Sequence, residues 1–223
     1  MKLLYTRYGV ELELMENQMQ TLVLENPLIF SSFLQNLMGQ VDGKEGELIL
    51  SEGDKIYPLA KTVVFLPNPL MVDCNEKKII TKLYKELADH VKSEMCERYS
   101  EIHSKVLNFL EEIINTVPYH LEMNIDPDVT ALLKTYEVRV ATEDTAPLER
   151  LIDYLRAVSS ICGIQIFILL NLKQFYSTDQ LRQLYEFCFY EKIHLINLEG
   201  QKNYVMEGER YVIIDKDMCL IEP

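Results

Sequence analysis

Residues 163–200 read GIQIFILLNLKQFYSTDQLRQLYEFCFYEKIHLINLEG. IQIFILLN is a continuous apolar run after Gly163, and predicts a strand buried on both faces. STDQLRQLYEFCFYEK follows with Ser177 and Gln180 at capping-box spacing, so an amphipathic helix starts there. IHLINLEG is a second apolar strand. Strand, capped helix, strand implies a parallel crossover, the unit from which α/β sheets are built.

The flanking segments extend the same architecture. PLERLIDYLRAVSSI is an amphipathic helix for which Gly163 is a C-cap, and EVRVAT before it reads as a short alternating strand. RYVIIDKDMCLIE closes the chain as a hairpin around Asp215–Asp217. At the other end GVELELM alternates, TLVLEN is a short β-rich run, and GELILSEGDKIYPLA is a hairpin turning at Glu52-Gly53. KTVVFLPNP adds a strand stopped by Pro67 and Pro69. IFSSFLQNLM carries apolar residues at 30, 33, 34, 37 and 38, a helix face.

The middle is of another kind. No Pro or Gly occurs from Glu76 to Asn115, and Ile80, Leu83, Leu87, Val91, Met95, Ile102, Val106, Phe109 and Ile113 mark one helical stripe. Unbroken, that helix would reach roughly 60 Å, longer than a compact α/β domain needs, so it bends or projects. Its other face mixes Lys and Glu as a solvated helix does, and DVTALLKTY continues the helical region. The expected organisation is an α/β core of residues 1–75 and 136–223 with a helical domain, 76–135, inserted between.

Composition narrows the function. The 223 residues hold 22 Lys and Arg against 35 Asp and Glu, a formal charge of −13. That argues against a generally sticky nucleic-acid or anionic-membrane surface while leaving room for a local basic patch. The longest apolar run is far short of the ~20 residues of a membrane span. MKLLYTRYGVELEL carries acids early, unlike a secretory signal. Five cysteines without a CxxC pair read as reduced thiols, which makes the expected compartment cytoplasmic.

The strand–helix–strand unit has the layout around the Mg²⁺-holding acid of P-loop NTPases, but Asn171, not Asp, ends the strand. No GxxxxGK[ST] occurs, and Asn26-Pro27-Leu28 between TLVLE and its helix is too short and apolar to cradle a phosphate. Nucleotide hydrolysis is therefore not expected. His90, His103, His120 and His194 are scattered without metal spacing; the first two read as surface positions and His194 as a satisfied core histidine. No nucleophile elbow is present.

The acidic stretch HLEMNIDPDVTALLKTYEVRVATEDTAPLER is richer. Glu122, Asp126 and Asp128 converge on a Pro turn, with Glu143 and Asp144 nearby. Such a turn offers the hard oxygens calcium takes, although Asp126 or Asp128 capping the helix near Val129 accounts for the pattern as simply. Lys134 and Arg139 flank the turn after that helix, and Lys44, Lys55 and Lys61 surround the N-terminal hairpin; taken alone, all five are solubilising surface.

TLVLENPLIFSSFLQNL, the helical insertion, the acidic turn before KTYEVRV and the 163–200 unit together resemble the small CRISPR-associated adaptation protein of type II-A systems, the non-nuclease Csn family in its short form. The resemblance runs nearly end to end. It implies an α/β, P-loop-NTPase-like mixed sheet with flanking helices that has lost its phosphate loop, and no enzymatic activity. It further implies calcium ions (Ca²⁺) at the junction of two domains and a homotetrameric ring whose basic hole accepts double-stranded DNA ends during spacer acquisition in antiviral defence. The implied partners are the CRISPR integrase complex and the RNA-guided effector nuclease, with no membrane. Carried onto this chain, Glu122, Asp126, Asp128, Glu143 and Asp144 are the metal candidates; Lys134 and Arg139, with Lys44, Lys55 and Lys61, are the DNA candidates. Symmetry would reconcile the ring with the chain's charge, because one cation per subunit becomes four around the hole. The alternatives are a divergent P-loop-fold metal-dependent enzyme such as a nuclease, which the acidic cluster allows, and a structural oligomer without ligand.

Overall fold

The structure, a computed structural model, describes residues 1–141 and 146–221. The chain divides into two compact units: residues 1–74 with 142–223, and residues 75–141.

In the first unit β1 (Lys2–Tyr5), β2 (Val10–Glu13), β4 (Leu48–Glu52) and β5 (Lys55–Tyr57) form an antiparallel sheet ordered β2-β1-β4-β5. A six-stranded sheet runs β10-β9-β3-β8-β7-β6, from β3 (Met19–Leu24), β6 (Val63–Leu66), β7 (Ile166–Leu170), β8 (His194–Glu199), β9 (Glu209–Ile214) and β10 (Leu220–Ile221). Every pairing in it is parallel except β9–β10, the expected terminal hairpin. The α/β class and the parallel unit at 163–200 are thus as the pattern predicts. EVRVAT differs: residues 136–141 make no strand. They belong to the helical unit, where the Asn75 side chain pairs with Val140 on both backbone atoms, its amide donating to the carbonyl and its oxygen accepting from the N–H. Alternation survived there without a neighbouring strand to use it.

Helix α1 (Pro27–Val41) buries Ile29, Phe33 and Leu37 in one core with Leu3, Tyr5 and Leu50 of the antiparallel sheet and Leu22, Ile168, Ile196 and Val212 of the parallel one. Tyr5 meets Phe33 edge-on, with centroids 5.0 Å apart. Polar side chains of α1 also finish the small sheet. Gln40 donates to and accepts from the Leu48 backbone at 2.8 Å, and Asn36 accepts from Glu47 N at 2.9 Å. Gly46 is required beside them: a Cβ there would stand 2.5 Å from the Asn36 oxygen and 2.6 Å from the Gln40 side chain.

After β6, with the one-turn α2 (Leu59–Thr62) before it, the chain enters the helical unit and returns through α6 (Pro147–Cys162). That helix ends at Gly163 with φ 67°, the left-handed C-cap expected from sequence. Short α7 (Leu172–Phe175) follows β7, and α8 (Thr178–Tyr190) opens with the Ser177–Gln180 box, both reciprocal bonds being present.

The helical unit holds α3 (Lys77–Glu94), α4 (Cys96–Ile114) and α5 (Val129–Thr135). The long stripe is therefore two helices, interrupted at Met95, whose φ/ψ of −129°/16° leaves the helical region. Along α3 the fully buried positions are Ile79, Tyr84 and Ala88, beside the half-buried Ile80, Leu83, Leu87 and Val91. Along α4 no residue is fully buried, and Tyr99, His103, Leu107 and Ile114 are half-buried. Cys74, Cys162 and Cys188 are buried and Cys96 and Cys219 exposed, all as free thiols. No helix among the described residues is long and apolar enough to cross a membrane.

His194, at the start of β8, is half-buried and bonded to the Met15 backbone, a packed histidine as expected. Burial, helped by the N-terminal charge, lowers its pKa below 6.5, against the Met15 bond and Glu16. The folded state thus binds fewer protons than the unfolded one just below pH 6.5. Stability should be lost as pH falls through that window, and urea titrations of His194→Gln should show a shallower loss; an identical acid limb would assign it elsewhere.

Candidate nucleic-acid interface

The chain ends of β3 and β7, where the sequence lacks a phosphate loop and carries Asn171, are tied off by local hydrogen bonds. Only Glu25 and Asn26 lie between β3 and α1. Asn26 Oδ1 accepts from Leu28 N at 3.0 Å and its amide donates to the Lys216 carbonyl, so the helix entry is tied off locally. Asn171, after β7, takes φ 53° and ψ 42°, a left-handed geometry that Asn tolerates better than most side chains. The next two amides donate inward, Leu172 N to Asn197 Oδ1 and Lys173 N to Glu199 Oε1, both at 3.2 Å.

Register explains what they meet. Thr21, Asn197 and Tyr211 lie side by side across β3, β8 and β9, with Glu199 two residues after the row on β8 and Glu209 two residues before it on β9, all on the same sheet face. Lys173 reaches onto that face from α7. Its ammonium donates to Glu209 Oε2 at 2.7 Å, to the Tyr204 carbonyl at 2.6 Å and to the Tyr211 hydroxyl, and the side chains of the ion pair are fully buried. All three ammonium donors are used. Glu209 also accepts from Thr21, Tyr185 and Met206 N. Burial, reinforced by the Glu209 charge, pushes the Tyr185 and Tyr211 hydroxyls far above their ordinary pKa. Burial also raises Glu199, which hydrogen bonds from Asn197 and Lys173 N partly offset. Sequence reasoning passed over Lys173 and Glu209. Both sit among other polar residues, Asn171 and Gln174 beside Lys173 and Glu207 and Arg210 beside Glu209, so nothing local in the sequence marks them.

The helical unit is where charge faces outward. A groove of about 820 Å³ runs between α3 and the chain around α5, lined by Lys77, Lys85, Lys92, Lys134 and Arg139 against Asp89, Asp128 and Glu137. The floor is apolar, from Ile80, Tyr84, Ala88 and Val138. Tyr84 OH donates to Val138 O at 2.8 Å and lies 3.4 Å from Leu133 O, binding one wall to the other. Lys134 and Arg139 are thus brought together in one groove, with α3 lysines whose spacing reads in sequence as an ordinary solvated face. Lys44, Lys55 and Lys61 belong to the other unit: Lys44 follows α1, Lys55 lies over the Tyr57 ring at 4.6 Å, and Lys61 ends α2.

The acidic turn lies in the helical unit too. Asp128 is the N-cap residue of α5, but its carboxylate makes no cap bond and accepts instead from Thr130 Oγ1 at 3.1 Å. Asn124 Oδ1 accepts from Asp126 N, and Tyr99 OH donates to Pro127 O at 3.0 Å. Burial raises the Tyr99 pKa, and the nearby Asp126 and Asp128 charges raise it further. Glu122 is exposed; Glu143 and Asp144 lie outside the described residues. Among the described residues no three His, Cys, Asp or Glu side chains stand together as a metal site, so Glu122, Asp126 and Asp128 do not make one by themselves. His103 is less exposed than expected: it stacks on Tyr99 at 5.7 Å, with Nε2 buried and unpartnered.

A family profile described as CRISPR-associated protein (Cas_Csn2) matches residues 40–218. Among solved structures, a metal-chelate type ABC transporter in an inward-facing conformation aligns at 11% identity and TM-score 0.43, over 99% of this chain and 80% of its own. A nucleotide-free ATP-binding cassette of an ABC transporter aligns at 11% identity and TM-score 0.42, over 96% and 84%. Likeness at that level says nothing about what this chain binds.

Glu209→Gln should cost about 3–5 kcal/mol, because it leaves the Lys173 ammonium buried without its counter-charge. Glu209→Gln combined with Lys173→Met should recover much of that loss. Equilibrium unfolding of Glu209→Gln, Lys173→Met and the double variant checks both; additive losses would mean the pair is not coupled.

Proposed function

The chain belongs to the Cas_Csn2 family of CRISPR-associated proteins, and we propose that it serves spacer acquisition as a non-enzymatic ring that binds double-stranded DNA ends without sequence preference. The observation that carries the DNA part is the groove of the helical unit. Its five cations, Lys134 and Arg139 included, enter no ion pair among the described residues. On a chain of net charge −13, five unpaired cations in one groove are a local exception to the overall field. Lysine and arginine without partnering acceptors suit phosphates, which carry no sequence information.

Self-association is supported by α4. Ile102, Val106, Phe109 and Ile113 recur at steps of three and four, yet Phe109 is 61% and Ile113 47% exposed. An apolar stripe left this exposed among the described residues, on a helix with no fully buried residue, calls for a partner. A second copy supplies one by symmetry, and four copies would multiply each groove cation fourfold. Calcium dependence belongs to the same proposal. It requires ligands beyond Glu122, Asp126 and Asp128, for which Glu143, Asp144 or carboxylates of another copy are the candidates. Asp128 lines the cationic groove, so a divalent cation held there would strengthen rather than oppose its positive charge. The CRISPR integrase complex and the effector nuclease are the partners this role requires.

Gel shifts of linear and covalently closed duplex of one sequence, with calcium and with excess chelator, test the reading. Linear DNA should bind in calcium and closed circles poorly, with neither cleaved. Tight binding of closed circles would remove the ring-on-an-end interpretation, and cleavage would make the protein a nuclease.

Sedimentation should give about 104 kDa for four chains of 26.1 kDa. Phe109→Glu should shift the distribution to smaller species. A full-length protein that sediments as a monomer at micromolar concentration and still binds DNA would sink the tetramer.

A further inference from the structure

We infer that the groove of the helical unit seats one phosphate strand of the duplex and that Lys77, Lys85 and Lys92 of α3 contact it, in addition to Lys134 and Arg139. The inference rests on the DNA-binding reading above and deepens it, from a cationic groove taken as a whole to the α3 lysines that touch the strand and the acid that opposes it. The three lysines stand eight and seven residues apart, two helical turns each, and so share one face of α3. They form a cationic row about 22 Å long. All three line the same groove as Lys134, in the last turn of α5, and Arg139 beyond it. Charge thus stands on both sides of a channel rather than in a single patch.

The floor agrees with a strand of sugar and phosphate. Ile80 and Val138, half-buried over the packed Tyr84 and Ala88, offer apolar surface on which lysine stems and deoxyribose faces can lie while the ammonium heads reach outward to phosphate. The Tyr84 bond to Val138 O holds the two walls together before any ligand arrives, which lowers the ordering cost of binding. Asp89, between Lys85 and Lys92, sits in the same groove and enters no ion pair among the described residues. Its carboxylate opposes an incoming phosphate and acts as a brake on the row.

The test uses the full chain with calcium and a fluorescein-labelled linear duplex, followed by anisotropy over a salt series. Replacing Lys77, Lys85 and Lys92 together by Ala should flatten the slope of log affinity against log salt by more than two units, at about 0.9 per lost phosphate contact. Asp89→Asn should tighten binding about one-and-a-half- to fivefold, the range of one exposed charge interaction, and damage to the fold cannot mimic a gain. Sedimentation of each variant at the parental mass excludes an effect through assembly. An unchanged slope in the triple variant, as expected if the groove serves an acidic protein segment instead, or an unchanged affinity in Asp89→Asn, overturns the inference while leaving duplex binding intact. Failure of the unmodified chain to bind duplex at all overturns the reading beneath it.

Discussion

The ammonium of Lys173 is fully buried, and its neighbours are arranged to make that tolerable. An uncompensated charge there would cost several kcal/mol, so each of its three donors must find an oxygen. Glu209, Tyr211 and the Tyr204 carbonyl provide them. Glu209 in turn fixes Thr21 of β3, Tyr185 of α8 and the backbone at Met206. One charge therefore joins two sheet strands, two helices and the loop before β9. Such a network is worth more as a constraint on geometry than as a source of stability, since a well-packed apolar substitute could serve stability as well.

The same network also ties down the chain where it leaves β7. Leu172 N and Lys173 N, amides that could face a ligand at the end of β7, are spent on Asn197 and Glu199. Asn26 does the same for the start of α1. These three amides of the α/β unit are thus satisfied within the chain.

The helical unit shows an opposite economy of burial. Its α4 is amphipathic yet has no fully buried residue, and its α3 directs lysines into a groove floored in part by the half-buried Ile80 and Val138. Both features are unfavourable in an isolated chain and become useful when another molecule covers them. The acidic turn fits the same description: Asp128 sits at a helix N-cap without capping, its carboxylate held only by Thr130.

The sequence by itself determined the elements whose signals are local. The apolar run at 166–170, the Ser177–Gln180 box, the left-handed Gly163 and the terminal hairpin are readable because backbone hydrogen bonding and side-chain periodicity act over a few residues. The missing phosphate loop was legible for the same reason. Only the tertiary structure decided the rest. Strand order brought Glu209 onto the face that Lys173 enters, 36 residues away in sequence. EVRVAT alternated but found Asn75 instead of a strand. Ile102–Ile113 carried a core-like stripe that the described residues leave largely exposed, because periodicity shows that a face is apolar and not what it meets. Lys77, Lys85 and Lys92 looked like ordinary solvated charge until α5 placed Lys134 opposite them, since a groove needs two walls and a sequence shows one helix at a time.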